Sequence, residues 1–138
     1  MKKTLMGASA VALGAIGLLV STSAADAAPK CKQWGFDGAT TIVEPGTGWQ
    51  VDFFSQGSEA SGLATASNNH GESKTGEISG GLNGGRFNVR IDYGNGQTQG
   101  YRGGVYGSDG IASGVTANNI PNESGKPFTV LVTCLQPS

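Results

Sequence analysis

The chain has 138 residues, of which 24 are glycine, 37% are hydrophobic and 14% are charged, with a formal charge of −1. Against averages of about 7% glycine and about 25% charged residues, it is rich in glycine and poor in charge. No basic excess suits a nucleic-acid binder, no apolar run serves several membrane spans, and one His with two Cys excludes most zinc, iron–sulfur and histidine-relay chemistry.

Met1–Ala27 reads as a secretory signal peptide. Lys2 and Lys3 form a positive n-region, Leu5 through Val20 an apolar core, and Ala25-Asp26-Ala27 the small-residue cleavage site. Cleavage is expected after Ala27, with Ala25 and Ala28 as alternatives. The competing reading, a retained anchor, needs roughly 20 apolar residues, and this run falls short. The n-region has no Arg for a twin-arginine signal. Lys30 stands before Cys31 where lipidation needs a small residue. The expectation is a secreted, extracellular or cell-envelope protein with no membrane span after cleavage. Residues 28–138 form its single β domain, with seven Lys and Arg against nine Asp and Glu, a net charge of −2.

Beyond the signal peptide, helical periodicity is absent and alternation at period two recurs. Gln33–Phe36 and Thr40–Val43 are predicted as short strands, and Pro45-Gly46-Thr47-Gly48 as a turn. Trp49-Gln50-Val51-Asp52-Phe53 alternates cleanly, with Phe54 as an extra apolar residue on the wet face. Ser61–Ser67 and Lys74–Leu82 follow. In Arg86–Tyr93, Phe87, Val89, Ile91 and Tyr93 share one face, and Arg86, Asn88, Arg90 and Asp92 share the other, as in antiparallel sheets wet on one side. Gly94-Asn95-Gly96 is a hairpin signal. Gln97–Tyr106, the Ser108-Asp109-Gly110 turn and Ile111–Ala117 come next. Finally Phe128, Val130, Val132 and Cys134 alternate with Thr129, Leu131 and Thr133, which points Cys134 inward.

These elements define an all-β fold: one antiparallel meander of about eight strands forming a small barrel or sandwich. Cys31 and Cys134 lie at the two ends of the domain and are expected to form one disulfide. A loop of about 100 residues closed this way is stabilised by about 4.7 kcal/mol in the chain-entropy estimate, less any strain. A reactive or metal-binding thiol pair would want CxxC spacing or nearby His, and neither is present. Glycines within the strands, among them Gly76, Gly80, Gly81, Gly100, Gly103 and Gly104, are read as serving curvature; a ligand lying on bare backbone is the alternative. A faint repeat relates Ala60-Ser61-Gly62-Leu63…Asn68-Asn69 to Ala112-Ser113-Gly114-Val115…Asn118-Asn119.

The opening Cys31…Trp34-Gly35-Phe36-Asp37-Gly38 joins Gly48-Trp49, the Gly85-Arg86 turn, Asn95-Gly96, Tyr101-x-Gly103 and Asp109-Gly110. Together they resemble small exported mycobacterial and actinobacterial β-rich proteins of unassigned function. The closing Lys126–Cys134 segment is similar to the end of mycobacterial surface lipoprotein antigens, over about the last quarter of the chain. The lipidated Cys of those antigens has no match here. The resemblance implies export and a β fold, and brings no catalytic residues.

Chemistry is sparse. His70 lies in a polar loop with Glu72 as its one nearby carboxylate, too few for a metal, and no G-x-S-x-G elbow supplies a nucleophile. Asp52 and Asp92 fall on wet faces, where a glycosidase pair is conceivable and surface charge is the expected role. Gly125-Lys126 lacks the upstream glycine of a phosphate loop. Asn122-Glu123-Ser124 matches a glycosylation acceptor. No catalytic residue, metal site or cofactor is assigned. The aromatic residues are the better lead: Trp49, Tyr93, Tyr101 and Tyr106 are candidate ligand-binding residues lining a barrel mouth, for a small apolar or sugar ligand. Against this stands the reading that Trp34, Phe36, Trp49, Phe53 and Phe87 are simply core. The leading functional expectation is a non-enzymatic protein acting through its surface, with an envelope or host protein as partner. The alternative is a small-ligand-binding barrel similar to lipocalins or avidins.

Overall fold

The strands place most of their large apolar residues on one side, and the only way to bury that side in a single sheet is to roll the sheet into a ring. The computed structural model describes residues 30–120 and 122–138 and shows this closure; the signal-peptide reading lies outside the described residues. The strands are β1 (Cys31–Glu44), β2 (Trp49–Gly57), β3 (Gly62–Ser67), β4 (Ser73–Asn83), β5 (Arg86–Asp92), β6 (Thr98–Val105), β7 (Ile111–Thr116), β8 (Pro127–Leu131) and β9 (Thr133–Pro137). Each of β1 to β8 pairs with its sequence neighbour, and β8 returns to β1, so the fold is a closed eight-stranded antiparallel meander barrel. β9 lies outside the ring against the first residues of β1.

β1 holds the assembly together. Its two predicted pieces, Gln33–Phe36 and Thr40–Val43, are one strand, because β2 offers an unbroken partner from Phe36↔Gly57 to Glu44↔Trp49. Gly38 (φ +107°) carries the chain through the Asp37–Ala39 interval that the sequence suggested as a break. On its other edge β1 pairs with β8 through Ile42 and Val43, and then with β9 through Cys31–Gly35.

Phe36, Phe53, Phe87, Phe128 and Tyr101 point into the ring and meet edge-on or tilted, with centroids 5.1–6.2 Å apart. Contacts of this kind contribute about 0.5–1.5 kcal/mol each beyond area burial. Ile42, Val51, Val89 and Ile91 fill the space between them. Of the aromatic residues read as core, Trp49 is the exception; it is half-buried at the rim because it opens β2 beside a turn. Outward positions carry Gln50, Asp52, Thr65, Glu77, Arg90 and Asp92 together with the exposed apolar Val43, Phe54, Leu63, Val115 and Leu131. Among the described residues no helix is long and apolar enough to cross a membrane.

The close strand approaches explain two glycine pairs. Gly103 faces Gly114 across β6 and β7, and a Cβ on either would come within 1.9 Å of backbone oxygen. At Gly80 and Gly81 (φ +101° and +149°) β4 bends to receive Ser58–Ala60, whose backbone bonds to Gly80 and Leu82. Both pairs serve the wall of the barrel. The faint repeat falls on β3–loop–β4 and β7–loop–β8, whose Asn-containing loops lie at the same end of the ring.

Cys31 and Cys134 form the disulfide, with Cα atoms 5.7 Å apart across 103 positions. The expectation that Cys134 points inward is corrected: it is exposed. The alternation of Phe128 and Val130 ends at Val132, whose N–H bonds to the Gly110 carbonyl while the chain steps out of β8 into β9. Beside the disulfide, buried Trp34 closes that end of the ring, its backbone N–H donating to the Gly84 carbonyl at 3.0 Å. Replacing both cysteines by serine releases the two ends of the chain. The expected result is a Tm lower by on the order of 10–20 °C in a calorimetric scan; an unchanged Tm would contradict a stapling role.

Candidate functional site

Strand direction sorts the side chains between two ends. The turns at 45–48, 68–72 and 93–97 and the loop after β7 rim one end, here called the mouth. Alternation carries the inward row of β1 from Thr40 through Ile42 to Glu44, so a carboxylate arrives inside the ring just as the strand ends. The same parity sends Gln99 and Tyr101 of β6 inward, and Lys74 at the start of β4.

These residues form one connected network. Tyr101 Oη donates to Glu44 Oε2 at 2.5 Å, and Gln99 Nε2 donates to the same oxygen at 2.7 Å and to Tyr101 Oη at 2.5 Å. Tyr93 Oη donates to Gln99 Oε1 at 2.5 Å, and Thr47 Oγ1 to Glu44 Oε1 at 3.0 Å. Glu44 is only 3% exposed, so these donors replace the water it has lost. Above the network the Lys74 ammonium rests on two aromatic faces, 4.5 Å from the Tyr93 centroid and 5.1 Å from that of Trp49. Such contacts stabilise by about 0.5 to 2 kcal/mol, more as water is excluded. Burial chiefly, and then the Glu44 carboxylate, push both phenols far above the ordinary tyrosine range; Glu123 adds to the shift.

The structure therefore brings Trp49, Tyr93 and Tyr101 to one end of the barrel. Tyr106 is not among them; it follows β6 at the opposite end and is 81% exposed. Composition and aromatic count could not reveal Glu44, Gln99, Thr47 and Lys74. The signal for three of them was strand parity, since each continues an inward row by steps of two. The mouth is occupied by its own side chains, and Tyr101, Phe128, Phe87 and Phe36 fill the bore beneath.

The other chemical candidates stay apart. Asp52 and Asp92 are exposed on β2 and β5, with β3 and β4 between them; Asp52 accepts from Thr41 Oγ1 and Asp92 from the Gly94 N–H. His70 sits in an exposed turn organised by the Asn68 side chain. Among the described residues no His, Cys, Asp and Glu cluster has the makings of a metal site.

Grooves of about 270 to 390 Å³ lie on the outer wall among the described residues, and these include four that no aromatic ring lines. One of about 390 Å³ follows the seam between β1 and β8 and is apolar, with Ala39, Val43, Ile111 and Leu131. A second, of about 320 Å³, is polar and runs along β5 and β6 with Arg90 and Arg102. The chain is thus a closed, disulfide-linked meander barrel with a satisfied polar mouth and grooved walls. No protein-family model, no curated protein and no solved structure matches it.

Two predictions follow from the network. Tyr101→Phe withdraws a donor from buried Glu44 and should cost about 1–3 kcal/mol in urea unfolding; wild-type stability would contradict the assignment. Folding also holds the Tyr93 and Tyr101 phenols protonated where the unfolded chain ionises them, near pH 10. Their contribution is whole below about pH 10 and is lost as the pH rises above it. Alkaline titration should show the phenolate absorbance of these two residues appearing together with unfolding, and appearance in the intact fold would contradict their burial.

Proposed function

We propose that the chain is an exported, non-enzymatic binding protein whose working face is the outer wall of the barrel. The observation that carries this reading is the filled bore: Tyr101, Phe36, Phe87 and Phe128 are each at most 2% exposed and occupy the space where a lipocalin-like or avidin-like barrel would hold its ligand. Export is supported by the n-region, apolar core and cleavage pattern of Met1–Ala27 and by a disulfide suited to an oxidising compartment. A secreted or envelope location follows, with an envelope or host component as partner. The absence of enzymatic activity belongs to the same proposal and rests on the dispersed carboxylates and the solitary exposed His70.

A second reading, a small-ligand barrel with an aromatic mouth, is favoured by the convergence of Trp49, Tyr93 and Tyr101. It requires Lys74 to lift from its two rings. Native mass spectrometry of the protein purified from culture medium, without refolding, separates the two. The surface-acting reading expects a ligand-free mass that begins near Ala28 and is two protons short for the disulfide. A co-purified lipid or small molecule would overturn it in favour of the second reading.

A further inference from the structure

All three arginines of the chain, Arg86, Arg90 and Arg102, lie exposed on the outer faces of β5 and β6. In a domain with a net charge of −2 all three arginines thus gather on one face, where the carboxylates Glu77 and Asp92 stand at one edge beside Arg90. Along the sheet each arginine faces an uncharged partner. Arg90 stands between Ser79 and Gly100, Arg86 between Asn83 and Gly104, and Arg102 between Asn88 and Val115. Among the described residues the hydrogen bonds of neighbouring side chains go elsewhere, with Asp92, the next outward residue of β5, accepting from the Gly94 N–H.

The polar groove of about 320 Å³ lies among these residues, lined by Asn88, Arg90, Thr98, Gly100, Arg102 and the Ala117–Asn119 segment, without a carboxylate. Its far wall is held in place by its own bonds. Asn118 Oδ1 accepts from the Gly100 N–H, Asn119 Oδ1 accepts from the Thr98 N–H, and Asn119 Nδ2 donates to the Gly96 carbonyl. The guanidiniums of Arg90 and Arg102 and the Asn88 amide are left as donors beside a rigid wall. Arg86 stands further along β5, where a neighbouring groove also holds Glu59.

The geometry points to this groove as a binding site for a tetrahedral oxyanion, a phosphate group held between Arg90 and Arg102. Diagonal cross-strand positions of this kind lie about 7–8 Å apart. A carboxylate is satisfied by one guanidinium fork, whereas a tetrahedral anion has oxygens enough to engage two from opposite sides. The inference deepens the outer-wall reading above and rests on it. Its failure would leave a ligand-free bore, and hence that reading, intact.

The test uses the disulfide-bonded protein, with inorganic phosphate as probe at constant ionic strength. Arginine Nε–H and Gly100 amide resonances are followed by NMR. Saturable one-site shifts at Arg90, Arg102 and Gly100 are expected, with affinity reduced at least tenfold in Arg90→Gln and Arg102→Gln at unchanged Tm. Arg90→Lys with Arg102→Lys keeps the charge and should still lose most of the affinity, because lysine lacks the fork. Non-saturating shifts, or equal binding by the glutamine variants or the lysine pair, would overturn the proposal. A second arm adds vesicles containing phosphatidylglycerol. Co-flotation that depends on both arginines identifies a lipid headgroup as the source of the phosphate, and its absence alongside phosphate binding identifies a soluble one.

Discussion

An eight-stranded ring encloses a bore about one layer of side chains wide, and the rest of this structure follows from that width. Four phenylalanines and Tyr101, packed edge-on or tilted, consume the interior, so Ala64, Ala66 and Ala112 are the size that fits elsewhere on the inner wall. The same limit forces neighbouring backbones together at Gly103 and Gly114, where no side chain is tolerated. With the centre taken by aromatic rings, the large polar inward residues gather at one end, and small Thr40 and Ser55 are the buried polar residues elsewhere on β1 and β2. Glu44, Gln99 and Tyr93 are found at that one end, each supplied with partners. Burial without such partners would cost several kcal/mol per group.

Closure depends on one strand with three neighbours. β1 is 14 residues long, enough to pair with β2, finish the ring against β8, and still extend past it to receive β9. Its contact with β8 spans two residue pairs, the shortest junction in the ring. The disulfide and β9 reinforce the end of the barrel on that side. They tie the first strand to the last where backbone pairing is thin, and Trp34 packs beneath them.

The fold was legible because period-two alternation survives in nearly every strand, and Arg86–Asp92 displays its buried and wet faces in the sequence itself. Legibility failed where the chain departs from regular pairing. The Gly38 position inside β1 looked like a break, since only the presence of β2 alongside keeps the strand continuous. Cys134 continued an inward row on paper, but the irregularity at Val132 rotates it outward. Of the aromatic residues singled out, three converge because their strands end or begin at one rim, while Tyr106 lies past the far end of β6. Lys74 and Glu44 carry no chemical signal in the sequence, because a lone charge at a strand end is ordinary until the ring places it inside. The arginine groove joins residues of two strands and a loop, a juxtaposition that only the register of β5, β6 and β7 creates.

The exterior of the barrel carries an apolar seam at β1 and β8, a basic polar groove at β5 and β6, and a mouth covered by Lys74 on two aromatic rings. Under the proposed reading, stability lies inside the ring and recognition would fall to its exterior. The most direct test is a crystal structure determined under xenon pressure, since xenon enters dry apolar cavities and reports them by position. The account predicts no xenon within the ring among Phe36, Phe87, Tyr101 and Phe128, with any ordered atoms confined to the outer seam. Xenon bound inside the bore would show an internal cavity and contradict a barrel filled by its own side chains.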